Sequence, residues 1–413
     1  MSAADGPRPP GSGKLARNVV LLGVVSFFAD VSSDMVMPLL PAFLVSLGAG
    51  AAYLGVVEGA AEATAALLKY LSGRWADKVR RLLPLAVAGY ALAALARPFL
   101  ALARAPWQVL LVRNVDRVGK GLRTSPRDKL LASSAEPARL AEAFAFHRGM
   151  DHAGAALGPL LAAALLLLWP GDLRRIFLLA ALPGALAVGV LFAVREEQAS
   201  GVRPQASGKK PEASLERARV PRGLLVAIGV FTLGNSTDAL LLLRAQALGV
   251  STPALPLLWA LLHAVRSILS WPLGRAADRL GRRGALAAGW LWYAACYAGF
   301  AAARTPLQIW ILFAAYGLVA GLTEGSERAL IASAVPGEER GRALGVYNLV
   351  SGLGLLFASV LAGLVWERGS PQAALLLGAA LAFVAAVVLA AVHRPAGQGP
   401  VREAPHPFAP SAR

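Results

Sequence analysis

Acidic and basic side chains stand at helical spacing inside one of the long apolar runs of this chain. Glu62 and Lys69 follow Glu58 at offsets of 4 and 11 residues, and both offsets return to nearly the same angle around an α-helix. Two carboxylates and an ammonium group on one face neutralise one another, or they exchange protons and bind charged ligands where the face lines water. The pattern predicts a functional face on a buried helix.

A second apolar run carries a positively charged face. Arg117 and Lys120 follow Arg113 at offsets of 4 and 7 residues, and Asp116 stands beside them. Each charge at membrane depth costs at least about 2.5 to 3.5 kcal/mol. We therefore expect these side chains to face a water-filled cavity or an oppositely charged partner.

Arg113 has two open roles. It either takes part in ion or substrate handling, or it forms a fixed ion pair that only locks the chain together, since buried ion pairs also occur as structural contacts. The acids considered as its fixed partners are Asp30, Asp34 and Glu62.

A third set of reactive groups combines imidazoles with a carboxylate. His147 precedes Asp151 by four residues, and Arg148 precedes His152 by the same offset. Because imidazole titrates near neutral pH, this set suits proton transfer or substrate contact; a fixed polar cluster is the alternative. A metal site lacks a third ligand at fixed spacing, and the guanidinium would repel a cation, so we expect no metal.

The composition places these charges in a membrane protein. Hydrophobic residues make up 56% and charged residues 16% of the 413 positions, and a bilayer core of about 30 Å needs about 20 apolar residues per helix. The sequence therefore predicts an all-α membrane protein of twelve spans. They cover residues 18–46, 52–75, 82–103, 107–132, 140–169, 175–194, 222–248, 254–274, 284–303, 307–333, 342–367 and 371–393.

A charged segment occurs once in each half of the chain. Residues 73–81 are echoed by residues 274–283, which start 201 positions later. Each copy begins with a glycine that we interpret as turn-forming and continues with an acid and a cation cluster, in the loop that follows the second span of its half. The residues predicted to meet at a gate are Gly73, Asp77, Lys78, Arg81, Gly274, Asp278, Arg279 and Arg282.

The first span of each half is also repeated. Residues 28–34 match residues 232–238 at an offset of 204, which places Asp34 and Asp238 at the same depth and makes Asn235 and Asp238 the best cavity candidates of the second half. Pseudo-symmetric halves with polar groups near the midplane are typical of secondary transporters, whose substrate site lies between the repeats.

The basic residues indicate topology. Although the net charge is +17, Lys and Arg concentrate at one set of span ends rather than on one soluble face, so no nucleic-acid partner is expected. Both termini are predicted to be cytoplasmic. The predicted organisation is a tail at 1–13, six-helix halves at 14–194 and 222–393, a linker at 195–221 and a second tail at 394–413.

Motifs of other functional classes do not match. Arg8 stands where the first glycine of a phosphate-binding loop belongs and Leu15 where its Ser or Thr belongs, so ATP is not expected to drive the protein. The single cysteine, Cys296, excludes an internal disulfide and a cysteine metal cluster. Neither an enzyme nor a cofactor is expected.

The paired charged segments resemble the signature loop G-x-x-x-D-[RK]-x-x-[RK] of the major facilitator superfamily. The resemblance covers about residues 14–394 and implies the fold of that family, in which two six-helix halves alternate access around a central cavity. Residues 116–128, from Asp-Arg-Val-Gly-Lys to Pro-Arg-Asp, and the run Phe-His-Arg-Gly-Met-Asp at 146–151 resemble a bacterial subgroup of permeases and putative drug exporters.

Two further matches bear on mechanism. Arg113 falls where the superfamily's fourth-span motif has an arginine that the resemblance associates with proton coupling, although Asp116 and Arg117 stand where that motif has Gln and Gly. The fifth span resembles the G-x-x-x-G-P-x-x-G motif of drug and proton antiporters, with Ala in place of the last glycine. The matching residues are Gly154, Gly158 and Pro159.

The resemblance implies a proton-coupled exporter of small molecules in the bacterial inner membrane, contacting lipid and functional as a monomer. The cationic face favours anionic or amphiphilic substrates. Uptake by symport, uniport, or a non-transporting receptor or lipid-sensing scaffold remain alternatives. The candidate residues for substrate or proton binding are Asp30, Asp34, Glu58, Glu62, Arg113, Asp116, Arg117, His147, Arg148, Asp151, Asn235 and Asp238.

The sequence predicts that Arg113→Ala abolishes coupled transport and leaves folded protein in the membrane, because the charge would be lost without any change to the apolar runs. Collapse of a pH gradient in proteoliposomes measures the coupling. Unchanged flux would remove the role assigned to Arg113.

Overall fold

The computed structural model describes residues 15–76, 78–79, 81–136, 139–196, 222–333, 335 and 340–391. Within those ranges the chain is helical throughout, with short connections and no β-strand. The predicted linker lies almost wholly outside the described residues, as do both tails, so the predicted domain boundaries stay predictions.

Among its described residues, the N-terminal half forms eight α-helices, with 3₁₀ segments at Met37–Leu39 and Arg97–Leu102. The helices are α1 (Arg17–Val36), α2 (Leu40–Ser46), α3 (Ala51–Ala76), α4 (Leu83–Ala96), α5 (Pro106–Ser134), α6 (Leu140–Leu168), α7 (Leu173–Leu179) and α8 (Ala181–Leu191).

The C-terminal half has a matching arrangement, with a 3₁₀ turn at Thr252–Ala254. Its helices are α9 (Arg222–Gly234), α10 (Ala239–Ala247), α11 (Leu255–Leu280), α12 (Arg282–Ala302), α13 (Pro306–Ser333), α14 (Arg340–Arg368) and α15 (Pro371–Ala391).

The predicted all-α membrane fold is confirmed. Eleven helical stretches among the described residues are long and apolar enough to cross a membrane. Helix α5 completes the twelve spans by length, since it has 29 residues, but eight of them are charged, which lowers its mean hydropathy. A helix this polar is stable in a bilayer only where neighbouring helices cover its charged face.

The first span of each half is interrupted. In the N-terminal half, the 3₁₀ segment with Pro38 and the proline Pro41 separate α1 from α2, because a proline ring removes a helical hydrogen bond. In the C-terminal half, residues 235–238 leave the helix between α9 and α10. Unwound backbone at membrane depth is tolerated only where protein or a cavity surrounds it.

Two sets of loops define the two ends of the bundle. At the linker end, the Asn18 side chain donates to the Arg195 carbonyl oxygen over 2.7 Å, and the Leu82 amide donates to the Glu196 carboxylate. At the opposite end, the Ala52 amide donates over 2.9 Å to the carboxylate of Glu367, which belongs to the other half. That last contact joins the halves at the end away from the linker.

The two halves meet along two helix pairs, α3 with α14 and α6 with α11. Glycines allow the first pair to approach closely. A Cβ atom on Gly55 would lie 2.1 Å from the Ser359 carbonyl oxygen, and one on Gly363 would lie 2.6 Å from that of Ala51. Close backbone approach through small residues is the usual way that membrane helices associate.

The interpretation of the repeated charged segments as loops that begin with a turn-forming glycine is wrong. Gly73 lies inside α3, and Gly274, Asp278 and Arg279 lie inside α11. Helix α11 ends instead at Gly281, whose φ of 82° is a left-handed conformation that suits glycine. The first residues of each segment therefore continue the membrane helix, by about one turn in α3 and about two turns in α11.

The glycines of the fifth span pack against the first span. A Cβ atom on Gly158 would lie 2.6 Å from the Val31 carbonyl oxygen, and one on Gly154 would lie 2.4 Å from that of Phe27. Rigid backbone of α1 therefore occupies the space that a side chain would need.

We predict that Gly158→Ala lowers the free energy of unfolding by about 1–3 kcal/mol, because the added methyl group forces α1 and α6 apart. Gly149→Ala is the matched control, since nothing lies within 4 Å of its Cβ position on the same helix. Thermal unfolding of detergent-solubilised protein measures both variants, and equal stability of the two would contradict the packing argument.

Candidate functional site

A buried ion network lies where α3 and α5 pack together. The Arg113 guanidinium donates to both carboxylate oxygens of Glu58, over 2.9 and 2.8 Å. Both side chains are almost completely buried, with 3% and 2% of their surface exposed. A bidentate pair of this kind holds both groups in one orientation.

The network continues from Arg113 to the first span. Asp116 lies 3.4 Å from Arg113 Nη1, and its other oxygen accepts from Arg97 Nε over 3.0 Å. Arg97 also donates to Ser32 Oγ over 2.7 Å, and Ser32 donates to the Ala180 carbonyl oxygen. Two acids and two guanidiniums thus connect α1, α3, α5 and the 3₁₀ segment Arg97–Leu102 around one point.

These pairings correct two expectations. The fixed partners considered for Arg113 were Asp30, Asp34 and Glu62, whereas its partners are Glu58 and Asp116. Glu58, Glu62 and Lys69 were expected to neutralise one another or to handle protons and ligands, whereas the ion pairs of both acids are formed with guanidiniums of α5. The reason is close packing: a Cβ atom on Gly121 of α5 would lie 2.5 Å from Leu68 of α3.

A second pair borders the space between the halves. Arg117 Nε lies 3.4 Å from Glu62 Oε1, and 37% of the Glu62 side chain is exposed, in contrast to the 2% of Glu58 one turn earlier. The contact between α3 and α5, called the α3–α5 seam, thus excludes solvent at Glu58 and admits it at Glu62.

One carboxylate of the first span is held by the other half. The indole Nε1 of Trp259, on α11, donates to Asp34 Oδ1 over 3.0 Å. Asp34 and Asp30 are both only partly exposed, and the α6 glycines pack behind them, with Gly154 facing Asp30 and Gly158 facing Asp34. Helices α1, α6 and α11 therefore meet at Asp34.

The corresponding acid of the second half has different partners. Asp238 accepts from Arg266 Nη2 over 3.0 Å and from the Tyr316 hydroxyl over 2.7 Å. It is the last residue of the unwound stretch at 235–238, in which Asn235 is partly buried. The repeat at an offset of 204 thus places two acids at equivalent positions, one of which binds across the interface and one within its own half.

The His147 set is assembled only in part. His147 Nδ1 lies 3.5 Å from Asp151 Oδ2, as their spacing predicted, and His147 is buried. Arg148 is exposed instead. Its position on α6 points it away from that pair, so the four groups do not form one cluster.

One carboxylate that was not among the predicted site residues also has buried polar partners. Glu327, on α13, is buried and accepts from Trp290 Nε1 over 3.2 Å and from the Tyr347 hydroxyl. The ring of Trp290 stacks on Phe231 with centroids 4.8 Å apart. The only signal in the sequence was an acid within an apolar span that lies beside aromatic-rich spans. Its position on the helix did not distinguish it from the neighbouring acids.

The predicted gate residues are described incompletely. Asp77 lies outside the described residues, and for Gly274, Asp278 and Arg279 only the helical backbone is described. Lys78 and Arg81 are exposed at the linker end, and Arg282 is exposed at the start of α12. Their gating role stays a prediction.

Removing one member of the Arg113–Glu58 pair should destabilise the fold. Arg113→Ala leaves Glu58 and Asp116 buried beside one another, at an expected cost of about 3–5 kcal/mol. This contrasts with the retained folding expected from sequence alone. The double variant Glu58→Gln with Arg113→Gln should recover most of that loss, since it removes both charges and keeps polar groups of similar shape.

Thermal unfolding in detergent of Glu58→Gln, Arg113→Gln and the double variant measures the coupling between the two side chains. If the double variant lost as much stability as the two single variants together, the pair would contribute no interaction energy.

Comparisons with known proteins agree with this architecture. The family model described as Major Facilitator Superfamily matches residues 22–271 and 240–412. An "Uncharacterized MFS-type transporter" of Methanocaldococcus jannaschii is 32% identical over 388 residues, which cover 91% of this chain and 95% of the relative. A protein of Mycobacterium bovis is 28% identical over 82% of this chain and 83% of its own length.

Solved structures share the fold at low identity. A variant of the nucleoside transporter NupG superimposes with a TM-score of 0.76 at 15% identity, covering 91% of this chain and 99% of that structure. The peptide transporter POT gives a TM-score of 0.74 at 14% identity, over 91% and 93% of the two chains.

Proposed function

The chain belongs to the major facilitator superfamily of multi-pass membrane transporters, and we propose that it is a proton-coupled exporter of small molecules that works by alternating access. The halves at 14–194 and 222–393 rock about the space between them, in a bacterial inner membrane with both termini in the cytoplasm. A monomer contains the whole pathway.

The hydrogen bond from Trp259 to Asp34 carries this proposal. It joins a titratable group of α1 to a neutral donor on α11, so it crosses the seam that alternating access must open. An indole N–H only donates, and a hydrogen bond to an ionised carboxylate is roughly twice as strong as one to a neutral group. Proton uptake by Asp34 would therefore weaken a contact that holds the halves together.

The surroundings of Asp34 support coupling to motion. The α6 glycines bring a third helix to the same place, and their pattern resembles that of antiporters, which favours export over uptake. Asp30 lies one turn away on α1. We assign Asp34 and Asp30 to proton binding, with Asp238 as the equivalent of Asp34 in the second half and Asn235 as a polar group of the same unwound stretch.

The buried network has a supporting role in this proposal. Arg113, Glu58, Asp116 and Arg97 satisfy one another and lie away from the exposed space, so they position α1, α3 and α5. Structural neighbours that transport nucleosides and peptides indicate that polar organic molecules suit this fold.

We predict that Asp34→Asn abolishes substrate-dependent collapse of a pH gradient in proteoliposomes, since an amide cannot exchange a proton at neutral pH. Asn keeps an acceptor for Trp259, so folding should be retained, and substrate exchange without a gradient should persist. The compounds to screen are organic anions, metabolites and amphiphilic drugs.

Glu136→Gln is the matched control, because that carboxylate is exposed in the connection after α5. Loss of gradient collapse in the control as well would show a non-specific effect. Full proton coupling in Asp34→Asn would overturn the role of Asp34.

A further inference from the structure

Three cations from both halves approach one another near the linker end of the space between the halves. Lys69 lies on α3, Lys120 on α5 and Arg328 on α13. A Cβ atom on Gly121, next to Lys120, would lie 3.1 Å from the Lys69 amide nitrogen, and one on Gly345 would lie 3.8 Å from Tyr70, next to Lys69. The same stretch of α14 holds Tyr347, whose hydroxyl donates to Glu327 beside Arg328. The three charges are thus close enough to interact, and the approach of Arg328 to Lys69 crosses the interface, because α13 belongs to the C-terminal half.

No ion pair within 4 Å neutralises any of the three among the residues that the structure describes. The nearby acids already have partners: Glu62 pairs with Arg117, and Asp128 lies 2.7 Å from Arg127 Nη2. Glu62 and Asp30 lie near Lys120, and Glu62 also lies near Lys69, but each of these acids is shared among several cations. The cluster therefore has positive charge in excess.

The helical positions of these cations place them on the side of α3 and α5 that faces the space between the halves. Lys69 follows Glu62 by two turns on α3, and Lys120 follows Arg117 by one turn on α5, so both continue the open part of that seam. Lys69 and Arg328 are exposed, and Lys120 is partly exposed.

The internal repeat explains how the second half supplies its cation. At an offset of 200, Arg127 and Asp128 of α5 correspond to Glu327 and Arg328 of α13. The order of charges is reversed between the halves. Glu327 turns inward to Trp290, which leaves Arg328 exposed and close to Lys69 of the other half.

We propose that Lys69, Lys120 and Arg328 form the binding site for the anionic group of the transported substrate, a carboxylate or a phosphate. This inference rests on the proposed function and specifies its substrate class. A guanidinium matches two oxygens of such a group, and ammonium groups act as point charges beside it. An anion that contacts α3, α5 and α13 together would also draw the halves toward each other at the linker end.

The test measures binding without transport. The purified full-length chain, in nanodiscs of phosphatidylcholine, is titrated by calorimetry with inorganic phosphate, succinate and adenosine monophosphate at constant ionic strength. At least one of these anions should bind. Lys120→Gln and Arg328→Gln should each raise its Kd about tenfold or more, the loss expected for one charge-assisted hydrogen bond.

Two variants serve as controls. Lys120→Arg should bind with a Kd near that of the native chain, since it keeps the charge. Arg104→Gln should leave binding unchanged, since it removes an exposed cation in the connection before α5, away from the cluster. Nanodiscs with added phosphatidylglycerol distinguish a lipid headgroup from a soluble anion. If phosphatidylglycerol abolished binding of the soluble anions to the native chain and to every variant, the cluster would be a lipid-headgroup site.

Failure to bind any of the three anions, or equal affinity in all variants, overturns the anion site. This outcome is separate from the test of proton coupling, because a chain that binds no anion but still shows gradient collapse dependent on Asp34 retains the proposed function. Anion binding without such collapse would leave the site intact and refute the coupling.

Discussion

The architecture depends on the requirement that charges in a bilayer be satisfied by protein. Helix α5 brings eight charged residues into the membrane region, and it is stable there because α3 presents acids to its cations. Glu58 and Asp116 share Arg113 and Arg97 in a network that is nearly free of solvent. Removing any one member would expose the full desolvation cost of the others. The N-terminal half is therefore rigid where the network lies, and its exposed polar groups are confined to the remaining seam.

Close helix packing complements this electrostatic constraint. Glycines at the α3–α14 and α1–α6 contacts let backbones approach to distances that no side chain would permit. Such contacts depend on shape rather than on burial of apolar area, since lipid tails are as apolar as the helices themselves. The α3–α14 contacts allow one half to slide or rock against the other, whereas the α1–α6 contacts and the paired charges keep the N-terminal half intact. The division between a rigid half and an adjustable seam is what alternating access requires.

The two halves use the same fold for different chemistry. The first places a carboxylate at Asp34, where the opposite half donates to it, and the second places one at Asp238, where its own Arg266 and Tyr316 enclose it. Duplication supplies equivalent backbone positions, and later divergence of single side chains determines which acid senses the interface. The reversed charges of Arg127–Asp128 and Glu327–Arg328 follow the same principle.

The sequence by itself determined the membrane class, the twelve spans and the duplication, because hydropathy and repeats are local properties of the chain. It also identified the charged faces of α3 and α5 and the acids of α1, and the His147–Asp151 pair followed from helical spacing, but Arg97 and Glu327 were not among the predicted site residues. Only the tertiary structure decided that Arg113 pairs with Glu58, that Asp34 receives a donor from Trp259 at a separation of 225 residues, and that Glu327 is enclosed by aromatic donors. Spacing gives the face of one helix, whereas partners depend on which faces pack together and at what depth, and glycine contacts between distant helices set that register.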